Sequence, residues 1–200
     1  MAGTPAANGV LLHWIPLGAG GRVVPVCGRA YERWSASRQG RAPRRLFHAA
    51  LEVSLGGTTH VIEMAPAWAH SETERGVVCV GPVGLRPLGR VALFRYEVRC
   101  WPHGRIPDLQ WAVGEPSILT EDAQAARLLI ETVRSVPALT WGRDELRLGE
   151  MWNSNGLVAW LLSRAGVDAS VLAPPDGGRA PGWTAGLVLA ERQALRVALR

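Results

Sequence analysis

Leu46-Phe-His-Ala-Ala-Leu-Glu-Val-Ser-Leu-Gly-Gly-Thr-Thr-His-Val-Ile-Glu-Met64 is the stretch on which the fold turns. Phe47, Ala49, Leu51, Val53 and Leu55 alternate with His48, Ala50, Glu52 and Ser54, the two-residue period of a strand with one face in a core. Gly56-Gly57 is the signature of a primed two-residue hairpin turn, and 58–64 is the returning strand, ended by Ala65-Pro66. Such a turn sets the register: Leu55 pairs with Thr58, Val53 with His60, Ala50 with Glu63, His48 with Ala65. Opposed residues share a face and same-face diagonal neighbours lie ~7–8 Å apart. Glu63 therefore comes close enough to hold the imidazole of an inward-facing His48, while His60 points to the other face.

Working outward, strands are expected over 10–17, 76–80 and 91–99, with Gly18-Ala-Gly-Gly21 as a turn. A dinucleotide-binding reading of those glycines fails because Val23-Val24-Pro25-Val26 follows them where that fingerprint needs a helix. A short helix fits 30–37, and 101–116 reads as loop. Thr120-Glu-Asp122 opens a helix over 120–135 with Ala123, Ala126, Leu129, Ile130 and Val133 on its inner side, closed by Pro137. Pro174-Pro-Asp-Gly-Gly178 is a break before a last helix over 184–199. A hairpin, and strands clustered ahead of helices, predict an α+β fold: an antiparallel sheet from near 46 to 99 packed against the 120–135 and 154–165 helices. The expected organisation is one domain over 1–200, its core at 46–165, with 1–8 disordered and 174–200 a C-terminal loop and helix.

Composition bounds the class. The 200 residues are 48% hydrophobic and include nine Trp, enough for one sizeable core. The net charge is +5, and all 22 basic residues are arginine, a pattern that codon bias accounts for in part. Arg38, Arg41, Arg44 and Arg45 form a basic patch without interleaved aromatics, read as a solvated loop, so nucleic acid is disfavoured as a partner. Cys27, Cys79 and Cys100 are odd in number and widely spaced, as expected of small core residues in a reducing compartment. No signal-peptide pattern and no apolar run of ~18 residues is present, so no membrane span is expected and the cytoplasm is the expected location. His48, His60, His70 and His103 lack metal-ligand spacing, and neither a metal nor a cofactor is expected. His13, His70 and His103 are expected at the surface or in loops; Asp108, Asp144 and Glu145 lie in loops near Trp residues, where they either line a pocket or, the reading preferred, are solvated.

Chemistry enters with Met151-Trp-Asn-Ser-Asn-Gly-Leu-Val-Ala-Trp-Leu-Leu162. Leu157, Val158, Leu161, Leu162 and Ala165 recur at helical spacing, so Ser154 heads the buried stripe of a helix that starts beside it. A hydroxyl there is a helix cap or a nucleophile, and Asn153 and Asn155 are equally good caps. With His48 and Glu63, Ser154 completes a set of nucleophile, base and orienter. Trp152, Asn153 and Asn155 are further cleft candidates. An α/β-hydrolase triad is excluded, because all five histidines precede Ser154.

Phe47-His-Ala-Ala-Leu-Glu-Val53, Val61-Ile-Glu-Met-Ala-Pro66 and Asn153-Ser-Asn-Gly-Leu-Val158 resemble the catalytic strands and nucleophile helix of the circularly permuted papain-like proteins. These include the permuted NlpC-type hydrolases and the lecithin:retinol acyltransferase-like proteins. In that family a His starts one strand, a polar residue lies in the next, and a late helix carries a catalytic Cys in patterns such as Asn-Cys-Glu-His-Phe-Val. The resemblance spans roughly 46–165 and places Ser154 in the Cys position, His48 as base and Glu63 as third residue, with His60 the alternative. It implies a hydrolase or acyltransferase-like protein acting on an amide or ester, with a small-molecule, acyl or peptide ligand. Ser for Cys leaves a second reading, a catalytically silent ligand- or peptide-binding module of the same fold.

Overall fold

The structure, a computed structural model, describes residues 7–19, 23–67, 76–106 and 108–199. Six strands form one sheet: β1 (Gly9–Pro16), β2 (Phe47–Leu55), β3 (Thr58–Pro66), β4 (Val77–Pro82), β5 (Arg95–Pro102) and β6 (Ser117–Thr120), in the order β4-β5-β3-β2-β1-β6. Every neighbouring pair is antiparallel. Gly56 and Gly57 both have positive φ, +58° and +80°, the backbone that a primed turn needs and that L side chains resist. The hairpin register follows from that turn: Leu55 faces Thr58, Val53 faces His60 and Leu51 faces Ile62.

Four helices complete the fold: α1 (Val23–Arg38), α2 (Ala123–Thr132), α3 (Ser154–Arg164) and α4 (Trp183–Ala198). One sheet face, with Leu12, Phe47, Leu51, Val53, Ile62 and Val98, packs against Leu129 of α2, Leu157 and Leu161 of α3 and Leu189 of α4 in a single buried cluster. The other face carries a smaller core of Ile15, Ala50, Val61 and Ile106, over which Leu109 and Ala112 close. The loop after β5 is therefore a lid on the second face.

Three expectations need correction. A helix does follow the glycine cluster: α1 begins at Val23, because Pro25 falls in its first turn, where the backbone N–H it lacks would have no helical acceptor. What excludes the dinucleotide fold is the antiparallel β1–β2 pair, which leaves no parallel crossover at that turn. The sheet also extends past residues 46–99, taking in β1 and the short β6, whose four residues lack an alternating pattern. His13 is not a surface residue; it is 7% exposed in β1, with its Nε2 2.8 Å from the Glu52 carboxylate. His103 is exposed in the turn after β5, and His70 lies outside the described residues. Cys79 and Cys100 are free and partly buried, and burial pushes both thiols up. Among the described residues no helix is long and apolar enough to cross a membrane.

Candidate functional site

Strand alternation decides where His48 goes. Phe47 and Ala49 point to the helices, so His48 points to the opposite face with Ala50. The inward-facing His48 expected above thus lies on the sheet face away from the helices, with the smaller core. Ser154 nevertheless lines one cavity with it, at the place where the β2–β3 ladder stops at Leu51–Ile62. From there β3 continues along β5 to Pro66 and β2 along β1 to Phe47. A cavity of about 320 Å³ lies at this parting, lined by His48, Glu63, Asp108 and Ile106 together with Ser154 and Leu157 of α3.

The free edge of β2 is not left bare. Asn155, 2% exposed, accepts the Ala49 N–H at 2.8 Å through Oδ1 and donates through Nδ2 to Phe47 O at 3.0 Å and Pro181 O at 2.9 Å. Next to it, Phe47 N donates to Arg179 O and Arg179 N to Arg45 O. One side-chain amide and one backbone segment thus replace the missing strand, satisfying groups that burial would otherwise penalise. This ties the start of α3 to β2.

Asn153, not Ser154, caps α3: its Oδ1 accepts the Gly156 N–H at 3.2 Å, and its Nδ2 donates to Pro181 O at 2.8 Å. The Ser154 hydroxyl has no hydrogen-bond partner among the described residues, and neither do the backbone N–H groups of Ser154 and Asn155. Two N–H donors and a hydroxyl thus sit together at the positive end of a helix dipole. Trp152 is 1% exposed and belongs to the core.

Burial lowers the pKa of His48 from the ordinary imidazole value, and the negative charge of Asp108 opposes that shift. Asp108 stands at the head of a 3-10 turn, Leu109–Trp111, held down by Leu109 and Ala112. Glu63 lines the same cavity, and its carboxylate accepts from Arg99 Nη1 at 3.0 Å. Arg99 is 1% exposed and also donates to Glu97 at 2.7 Å through Nη2 and 2.9 Å through Nε. His60 pairs with Val53 in β3 and is not part of the cavity lining.

The structure therefore brings His48, Glu63 and Ser154 to one cavity, and no hydrogen bond joins Ser154 to His48 within the described residues. Of the two sequence readings of Asp108, the pocket wall and not the preferred solvated acid is found; the spacing of Ile106, Leu109 and Ala112 is the signal that this loop packs down. Asn155 was placed near the cleft, but its role in closing the strand edge depends on β3 leaving β2, which no local pattern encodes. Among the described residues no cluster of His, Cys, Asp or Glu could hold a metal ion. Comparison with protein-family models, with curated proteins and with solved structures gave no match.

Proposed function

We propose that the chain acts at an amide or ester carbonyl, as a hydrolase or acyltransferase of the papain-like kind with serine as nucleophile. The observation that carries this reading is the cavity shared by the unpartnered Ser154 hydroxyl, the neutral-leaning His48 and the Asp108 carboxylate. In the proposed reaction Ser154 Oγ bonds to the carbonyl carbon while its proton passes to His48. The oxyanion that forms rests on the N–H groups of Ser154 and Asn155. Collapse breaks the bond to the leaving amine or alcohol, which takes the proton from His48. Water or an acceptor nucleophile, deprotonated by His48, then releases the acyl group and regenerates the serine. Asp108 favours the imidazolium that each step creates, whereas Glu63, engaged by Arg99, is assigned to holding the sheet side of the cavity.

A second reading, a silent binding module, draws support from one observation: Ser154 donates no hydrogen bond to His48, and a serine, unlike a thiol, needs its base throughout. Incubation with a fluorophosphonate probe, followed by mass mapping, separates the two. The enzyme reading expects one adduct, on Ser154. A protein unlabelled at Ser154 would reduce it to the binding module.

A further inference from the structure

Ser154 also lines a second cavity, of about 360 Å³, whose walls include Leu17, Leu46, Trp141, Met151 and Pro181. Leu17, Gly28 and Leu46 also line a third cavity, of about 410 Å³, so the two adjoin across these residues, where the Leu17 and Leu46 side chains pack over Gly28. The third is lined by Arg29, Arg33, Arg44 and Arg45, with Glu32 as the one carboxylate. Glu32 is already committed. It is 2% exposed and accepts from Arg44 N at 2.8 Å, from Arg179 Nη1 at 3.0 Å and from Arg41 through both terminal nitrogens. Burial pushes its carboxyl up, but those hydrogen bonds and cations outweigh that and hold it below its usual range.

With Glu32 matched by Arg41 and Arg179, the remaining four guanidinium groups have no carboxylate partner among the described residues. Among the described residues, Arg45 alone of the four has another side-chain contact, lying 5.2 Å over the Phe47 ring. Like charges around one concavity repel, and a bound anion relieves that repulsion. Guanidinium forks match the paired oxygens of carboxylate and phosphate. The basic cavity, the apolar cavity and Ser154 therefore lie side by side in that order, with Leu17 and Leu46 as the side chains between the first two.

We propose that the arginine-lined cavity binds the anionic end, carboxylate or phosphate, of an amphipathic ligand whose apolar segment lies along Leu17, Trp141 and Met151 and whose carbonyl meets Ser154. The last element rests on the acyl-transfer reading above; the anion site does not.

The test compares two esters of equal chain length, the p-nitrophenyl half-ester of octanedioic acid and p-nitrophenyl octanoate. The half-ester is expected to have a KM at least about tenfold lower, since a charge-assisted anion contact contributes on that order. The double variant Arg33→Gln/Arg44→Gln should raise KM for the half-ester about tenfold, leave its kcat unchanged and leave the octanoate ester unaffected. Equal KM values for the two esters, or equal effects of the variant on both, would overturn the anion site. If neither ester is turned over, the acyl-transfer reading fails and calorimetry decides the anion site alone. Octanoate or octyl phosphate should bind wild type in a salt-sensitive way, about tenfold more weakly to the double variant, with octanol not binding. Tighter binding of one head group assigns carboxylate or phosphate. Inorganic phosphate binding as tightly as octyl phosphate would disconnect the arginine cavity from the apolar passage and overturn the amphipathic ligand.

Discussion

The side-chain amide of Asn155 closes onto the backbone of Ala49, taking its N–H at 2.8 Å across 106 positions of sequence. The residue that follows the candidate nucleophile is thus fixed to the strand that carries His48. Through this link the start of α3 is hydrogen-bonded to the head of β2, the positioning that the proposed nucleophile and base would need. Asn155→Leu removes the acceptor for Ala49 N–H and the donor to Phe47 O, leaving both buried and unpaired. A loss of about 2–4 kcal/mol is expected in chemical denaturation, roughly one unsatisfied-group penalty for each.

Removing Ser154 and removing His48 should both impair the chemistry, to different degrees. Ser154→Ala is expected to abolish probe labelling, and His48→Ala to slow it by about 10²–10⁴-fold, the usual contribution of a positioned base. Circular dichroism should be unchanged in Ser154→Ala, since the serine is not the helix cap. Full labelling of His48→Ala would remove the imidazole from the mechanism.

The pH profile follows from His48. A base must be unprotonated, and burial places its pKa below the ordinary 6.5. Activity should rise with pH through an apparent pKa under that value and be flat near neutrality. Asp108 favours the imidazolium, so Asp108→Asn should move this limb to still lower pH, whereas Glu63→Gln should move it less. A larger displacement with Glu63→Gln would return the orienting role to Glu63.

Stability carries the same sign. The unfolded chain holds a proton on His48 at a higher pH than the folded chain does, so folding is opposed once the pH falls below the unfolded value. Stability contributed by neutral His48 is complete above about 6.5 and declines as pH drops toward the folded pKa. His48→Gln should flatten that segment of a urea-midpoint against pH curve; an unchanged slope there would mean that His48 is not shifted.

Helix α3 meets α4 through glycine. A Cβ at Gly186 would stand 2.1 Å from Gly156 O and 2.8 Å from Trp160 N, backbone atoms that can move only if the helices separate. Gly186→Ala is expected to cost about 1–3 kcal/mol, the range for overpacking, and to disturb the Ser154 end of α3. A variant as stable as wild type would show that the helix pair shifts freely.

How much of this was legible beforehand differs from residue to residue. The hairpin is local chemistry: two glycines with positive φ and an alternating strand on either side dictate an antiparallel pair and its register, and Val53 does face His60. The helix at Ser154 is equally local, an Asn cap followed by Leu157, Val158, Leu161 and Leu162 on a buried stripe. Composition and periodicity thus determine the α+β class and name His48, Glu63 and Ser154 as residues worth watching. Pattern alone could not say which face His48 meets, because a period of two distinguishes the faces without assigning what covers them. That assignment came from Ile106, Leu109 and Ala112 settling over the second face and carrying Asp108 with them. Nor could it foresee that β3 parts from β2 after Ile62, beyond which β3 stays with β5 while Asn155 and Arg179 take the β2 edge. The cavity lies at that parting, and the physical reason is that the groups satisfying the β2 edge there, Asn155 and Arg179, come from more than a hundred residues away, so only the assembled chain brings them to it.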